Sequence, residues 1–245
     1  MRLALIIEYE GTNYSGFQFQ ANAPSIQEEL EKAIAILTNE NIRVNGAGRT
    51  DAGVHAKGQV VAFDTLSSHS ADTFVRALNY YLPGDIAIKA ACRVSEGFDP
   101  RRDALSRTYR YTILNSLVRS PMLRQTTCQV RQSLNVRAMR KAARFLEGIH
   151  DFARFSGPLD DSNASTVRHI FEASVRKTGE LVIFDIRGNA FLPHQVRRMA
   201  GSLVDIGRGK ISLDEFNMMI EGGCGNAVAR SMPPQGLCLL EVTYP

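Results

Sequence analysis

No apolar run in this 245-residue sequence approaches the ~20 residues that a membrane helix requires. The opening stretch MRLALIIEYEG is cut by Glu8, too early for a secretory leader. Cysteine is sparse: Cys92, Cys128, Cys224 and Cys238 lie far apart with no C-x-x-C. That spacing signals neither a zinc site nor a disulfide framework, and it points to a reducing, cytoplasmic compartment. No G-x-x-x-x-G-K followed by Ser or Thr occurs, which excludes a P-loop. Acids are nearly missing from residues 101–144, where ten arginines and one lysine are set against the single Asp103.

What remains suffices for a full core, as one large domain or two small ones. With 44% hydrophobic and 22% charged residues, the composition is that of a soluble globular chain. Charge is divided unevenly. Residues 1–100 carry 8 Lys+Arg against 12 Asp+Glu, whereas residues 101–245 carry 21 against 13. Arginine supplies 23 of the 29 basic residues, and its planar fork suits phosphate contacts and stacking on bases. An arginine-rich second half fits a nucleic-acid partner; a solvated basic face is the plain alternative.

The stretch at residues 45–56, NGAGRTDAGVHA, is poor material for a core: its largest apolar side chain is Val54. Gly46, Gly48 and Gly53 allow tight turns and close backbone approach, Thr50 can bond its own backbone, and Asp51 sits at the centre. Arg49 can reach a phosphate or a carboxylate. A solvated turn is the bland reading. GAGRTD also begins like a dinucleotide fingerprint, but an aspartate replaces its third glycine and would face the pyrophosphate with like charge.

Periodicity places elements around this loop. Residues 2–9 read as a buried strand, and Ser25 with Glu28 forms a capping box for a helix whose inner face is Ile26, Leu30, Ala33, Ile34 and Leu37. A short strand at 42–45, a strand at 59–63, a helix at 72–82 with Phe74 and Leu78 inward, and a strand at 85–94 complete the order β-α-β-β-α-β. That is the ferredoxin-like split arrangement, with Asp51 between the two middle strands. Tyr14, Phe17 and Phe19, in the loop at 11–20, either stack on bases or pack beneath it.

The second half repeats the plan less cleanly. A strand is expected at 107–114, where Tyr109 and Tyr111 share a face. Asn135 caps a helix with Val136, Met139, Ala143 and Leu146 inward, ending at Gly148. Residues 167–176 and 181–187 read as a hairpin. Pro193 suits a first helical turn, before an inner face of Val196, Met199, Ala200 and Leu203. Ser212 with Glu215 is a second capping box, and 237–244 a closing strand. The class is therefore α+β in two halves, residues 1–104 and 105–245.

GRTDAGVHA closely resembles the active-site loop of the tRNA pseudouridine synthase A family. Blocks similar to that family follow in order: YSGFQ at 14–18, NYYLPGDIAI at 79–88, SRTYRY at 106–111, FLPHQVRRMAGSLVDIG at 191–207 and GLCLLEVTYP at the C-terminus. The resemblance implies two ferredoxin-like halves forming a pseudouridine synthase fold with an extended, mixed and mainly antiparallel sheet. It implies isomerisation of uridine in the anticodon stem-loop of tRNA, a homodimer, and neither metal nor cofactor. Asp51 takes the place of the carboxylate that acts at the sugar, Tyr109 that of the tyrosine stacked under the target base near its C5 proton, and Arg197 that of the arginine paired with the carboxylate. Arg49 matches the residue that fills the space of the extruded nucleotide, and Arg101 and Arg107 join it as substrate contacts in the basic segment.

Some positions depart from the pattern. Phe17 stands where the family commonly has Trp, Phe98–Asp99–Pro100–Arg101 replaces FHAR, and Pro193 and Gln195 flank His194 where the family often has aromatic-His-Met or His-His-Met. These departures bear on substrate detail more than on reaction type. His55 and His194 are left out of the chemistry. A noncatalytic RNA-binding protein of the same fold is the alternative, and a phosphate-binding metabolic enzyme a third; the joint presence of Asp51, Tyr109 and Arg197 favours the isomerase.

Overall fold

The computed structural model describes residues 1–159, 163–222 and 230–245, which hold ten β-strands and five α-helices. The chain divides into two units, Met1–Leu105 with Cys238–Pro245, and Ser106–Leu237. The C-terminal residues group with the first unit. Their strand is the cause: Cys238 and Leu239 lie parallel to His55 and Ala56.

In the first unit, β1 (Arg2–Tyr9) pairs antiparallel with β3 (His55–Asp64) on one side and with β4 (Ile86–Val94) on the other. The two-residue β2 (Asn45–Gly46) lies along β3, as does β10 (Leu237–Thr243). Two helices, α1 (Ile26–Thr38) and α2 (Ala71–Tyr81), complete the β-α-β-β-α-β order and pack on each other. Their inner residues Ile26, Leu30, Ile34, Phe74 and Leu78 are fully buried, as the helical spacing predicts. Phe74 meets Phe63 of β3 at a ring separation of 5.9 Å.

β3 begins four residues before the expected strand. His55 and Gln59 read as polar, yet both are buried, because each satisfies a backbone group of the neighbouring loops rather than water.

In the second unit, β5 (Ser106–Leu114), β9 (Leu181–Gly188), β8 (Val167–Thr178) and β7 (Gly148–Asp151) lie in that order and pair antiparallel. β6 (Cys128–Gln129) runs parallel to β5. First, third and second major strands thus follow the same succession as β1, β3 and β2. β8 and β9 form the expected hairpin, turning at Gly179 with φ +58°. Asn135 caps α3 (Val136–Phe145), whose buried face is Met139, Ala142 and Ala143. α4 (Gln195–Gly207) and α5 (Leu213–Ile220) follow. α4 starts two residues after Pro193, which stays in the preceding turn and does not enter the helix.

Among the described residues, no helix is long and apolar enough to cross a membrane, and no group of three or more His, Cys, Asp or Glu could hold a metal ion. Cys92, Cys128 and Cys238 are free thiols; Cys224 lies outside the described residues.

The two expected capping boxes differ. At Ser212 both halves close: its Oγ accepts from Glu215 N at 3.1 Å, and the Glu215 carboxylate accepts from Ser212 N at 2.7 Å. At Ser25 the hydroxyl accepts from Glu28 N at 3.2 Å, while the Glu28 carboxylate pairs with Lys32 at 2.9 Å. Ser212→Ala should therefore cost about 1 kcal/mol and lower the unfolding midpoint by about 2–4 °C. In the same thermal melts Glu215→Ala should lower it more than Glu28→Ala; equal effects would contradict the asymmetry.

Candidate active site

The residues between β2 and β3 have no sheet ladder of their own, and their polar backbone finds partners elsewhere in the first unit. Ala47 N donates to Val60 O at 2.8 Å, and the Gln59 side chain donates to Gly48 O at 2.8 Å. Thr50 O accepts from Phe17 N at 3.1 Å, and its buried hydroxyl lies 2.8 Å from the phenol of Tyr9. Asp51 O accepts from Val54 N at 3.1 Å, closing a tight turn for which Gly53 supplies φ +75°. Gly53 N in turn donates to Tyr14 O at 3.2 Å. Asp51 is half-buried at the bend and Arg49 is exposed beside it.

The loop at 11–17 is what braces this turn, and it approaches too closely for side chains at two points. A Cβ on Gly11 would lie 2.0 Å from Val54 O, and one on Gly16 would lie 2.7 Å from Thr50 O. Gly11 N donates to His55 Nδ1 at 3.0 Å, which requires the lone pair on that nitrogen. The bracing loop is itself pinned: Tyr14 donates from its hydroxyl to Asp85 Oδ1 at 2.6 Å. Burial first, and then the adjacent Asp85 carboxylate, raise the Tyr14 phenol far above its usual range, so it stays a donor.

Tyr14 and Phe17 are buried, which settles their role as packing; Phe17 lies against Gly46. Phe19 is partly exposed, and the Arg43 guanidinium sits 4.5 Å from its ring centre. Arg101 is exposed on a turn built by Asp99, whose carboxylate accepts from Arg101 N at 2.8 Å and Arg102 N at 2.9 Å. The Arg102 N–H, followed by that of Arg101, holds the Asp99 pKa below the ordinary carboxylate value. Pro100 O accepts from the Tyr244 hydroxyl at 2.7 Å. The departures at 99 and 100 thus have local structural employment.

In the second unit, Tyr109 lies on β5, buried, with its ring edge-on to Phe191 at 5.2 Å. Tyr111 shares its face and is fully buried, donating to Pro233 O at 2.7 Å beneath Gly236. Arg107, at the start of β5, is also buried, with Nη1 donating to Asn189 O at 2.7 Å. Arg197, in the first turn of α4, donates from Nε to Met232 O at 2.7 Å and from Nη1 to His194 Nδ1 at 3.1 Å. Met232 N returns a bond to Arg197 O at 3.1 Å. Gln195 is fully buried, and its Oε1 accepts from Leu192 N at 2.7 Å, closing the turn that contains Pro193.

The sequence-expected residues therefore fall into two groups: Arg49, Asp51 and Arg101 in the first unit; Arg107, Tyr109 and Arg197 in the second. Tyr9 and Asp85, which hold the Asp51 turn from outside it, were not expected, and Tyr14 was weighed only for stacking or packing. Their signal in the sequence is faint, since each lies more than thirty residues from the turn it supports.

Comparison with known proteins gives the chemistry. A family model described as tRNA pseudouridine synthase matches residues 5–101 and 142–245. The tRNA pseudouridine synthase A of Geotalea uraniireducens is 44% identical over 243 residues, covering 99% of each chain. That of Geobacter sulfurreducens is 43% identical over 244 residues with the same coverage, and that of Shewanella amazonensis is 42% identical over 100% of this chain and 94% of its own. The Asp51 turn and the Arg197 helix both fall inside the matched segments. The chain belongs to the tRNA pseudouridine synthase A family and is an isomerase that makes pseudouridine in tRNA.

Proposed function

We propose that the uridines modified lie in the anticodon stem-loop, and that Asp51 is the catalytic carboxylate, Arg197 its ionic partner and Tyr109 the platform under the target base. In this reaction the N1–C1′ bond breaks, the detached uracil turns, and C5 joins C1′. C5 gives up its proton and N1 takes one, so no electrons are transferred and no water is consumed. Asp51 either attacks C1′ or removes a sugar proton; both roles need an ionised carboxylate in a fixed place.

The observation that carries this reading is the bracing of the Asp51 turn by the 11–17 loop, a degree of fixation that a merely solvated turn does not require. Arg197 supports it, because two acceptors on different nitrogens already orient its guanidinium. An arginine so held favours the charged form of a carboxylate partner. Tyr109 presents a ring kept in place by Phe191.

In this scheme the first unit supplies the carboxylate, and the arginine-rich second unit supplies Tyr109, Arg197 and most of the RNA surface. Arg49 occupies the gap left by the extruded nucleotide, whose flipping costs roughly a few kcal/mol that phosphate contacts offset. Arg101 reaches RNA directly; Arg107, buried on Asn189, shapes the surface from beneath. Two copies form a homodimer, giving an L-shaped tRNA two basic surfaces to span.

Asp51→Asn keeps the shape of the turn and removes the reactive charge. With tRNA carrying tritium at uridine C5, release to water should fall to background while tRNA affinity stays within about tenfold, some 1.4 kcal/mol. Substantial release from a well-folded variant would remove Asp51 from the mechanism. Mapping the modified positions in total tRNA tests the anticodon assignment, which modification confined to another arm would overturn.

Log K for tRNA should fall linearly with log[salt], with a slope of about −0.7 to −0.9 per phosphate contacted. Replacing the exposed Arg101, Arg102, Arg119 and Arg124 together should flatten it; an unchanged slope would place the RNA elsewhere. Light scattering should report twice the chain mass of 27.1 kDa across a concentration range, and a mass that stays at the single-chain value would exclude the dimer.

A further inference from the structure

We infer that His194 is a positioning residue for the isomerisation: its neutral imidazole sets the plane of the Arg197 guanidinium. The inference rests on the reading of Arg197 as partner of the catalytic carboxylate.

The contact fixes the state of the ring. A guanidinium has donors only, so the 3.1 Å approach of Arg197 Nη1 makes His194 Nδ1 the lone-pair nitrogen and leaves the ring proton on Nε2. With Nε on Met232 O, the planar group has acceptors at two of its nitrogens, which together define its plane.

His194 pays a conformational cost to stand there. It is one of two non-glycine residues with positive φ among the described residues, at φ +60° and ψ 0°. It occupies the N-cap position of α4, where extended backbone and an oxygen-bearing side chain are usual, and makes no side-chain capping bond. Capping therefore does not explain the residue. The left-handed backbone serves instead to turn the ring back toward Arg197, and an outlier of this kind beside a functional group is where strain has a use.

The ring is also held from behind. Gly157 N donates to Pro193 O at 2.7 Å, and a Cβ on Gly157 would lie 2.3 Å from His194 Cδ2. The second acceptor is equally restrained: Met232 N bonds Arg197 O, and a Cβ on Gly201 would lie 2.0 Å from Arg230 O. These two acceptors are thus each tied to backbone.

Two substitutions separate acceptor from backbone. His194→Asn tolerates the left-handed conformation and offers an amide oxygen near the place of Nδ1; His194→Gly relaxes the backbone and offers nothing. Single-turnover tritium release should slow by about 10- to 100-fold in His194→Gly, with tRNA affinity and the unfolding midpoint near wild type. His194→Asn should recover most of the rate. Gly157→Ala, which leaves His194 in place but displaces its ring, should slow release while sparing tRNA affinity. A wild-type rate in His194→Gly, or His194→Asn no faster than His194→Gly, overturns the inference. Arg197→Met distinguishes the levels: if it abolishes release while His194→Gly stays fast, only the positioning role fails, whereas a wild-type rate in Arg197→Met overturns the assigned role of Arg197 and this inference with it.

Discussion

The turn that carries Asp51 has backbone N–H and C=O groups but no ladder to satisfy them, and its conformation depends on hydrogen bonds from chain far away in sequence. Thr50 O, Gly53 N and the Thr50 hydroxyl are met by Phe17, Tyr14 and Tyr9. A buried backbone group without a partner is costly, so the 11–17 loop and the turn are stable only as a pair. The pairing dictates residue types on both sides. Gly11 and Gly16 are needed where the loop crosses Val54 O and Thr50 O, and Tyr14 needs Asp85 to keep the loop from lifting. The YSGFQ block and the GRTDAGVHA block are thus two halves of one object.

Much of this was legible in the sequence. α1, α2, α3 and the β8–β9 hairpin follow from spacing and turn residues, because their burial pattern is set by one sheet face each. Glycine content and a lone acid singled out the Asp51 loop. Four features were not legible, each because a tertiary contact outweighed the local pattern. β3 starts at His55, since that polar residue is buried and bonds to the neighbouring 11–17 loop. α4 starts at Gln195, because Gln195 closes the preceding turn and His194 takes left-handed backbone, leaving Pro193 outside. Glu28 turns to Lys32 and not to its own N-cap. The last strand joins the first unit through β3, a pairing that no pattern within residues 237–244 announces.

The departures from the family pattern make sense on the same terms. Asp99 accepts two successive backbone N–H groups, an arrangement that histidine cannot reproduce with one acceptor nitrogen; Pro100 directly follows and offers its carbonyl to Tyr244. Gln195 replaces an apolar residue at a buried position, yet its oxygen takes the N–H of Leu192. Phe17 fills space against Gly46 as an indole would, without the N–H. At each of these sites the substitution changes how a turn is closed or a gap is filled, and the backbone around Asp51 and Arg197 keeps its supports.

Arg197 shows how a cation can be immobilised by neutral partners. Arg197 has its guanidinium engaged by His194 and Met232 and its helix packed through Gly201, so its charge occupies the same place before any substrate arrives. A charge held in position beforehand adds no reorganisation to the step that uses it. Met232 O and His194 Nδ1 are neutral acceptors on separate nitrogens, so they restrain the group without cancelling its charge. Position and charge are thereby set independently, the first by the backbone around the helix start and the second by the guanidinium itself.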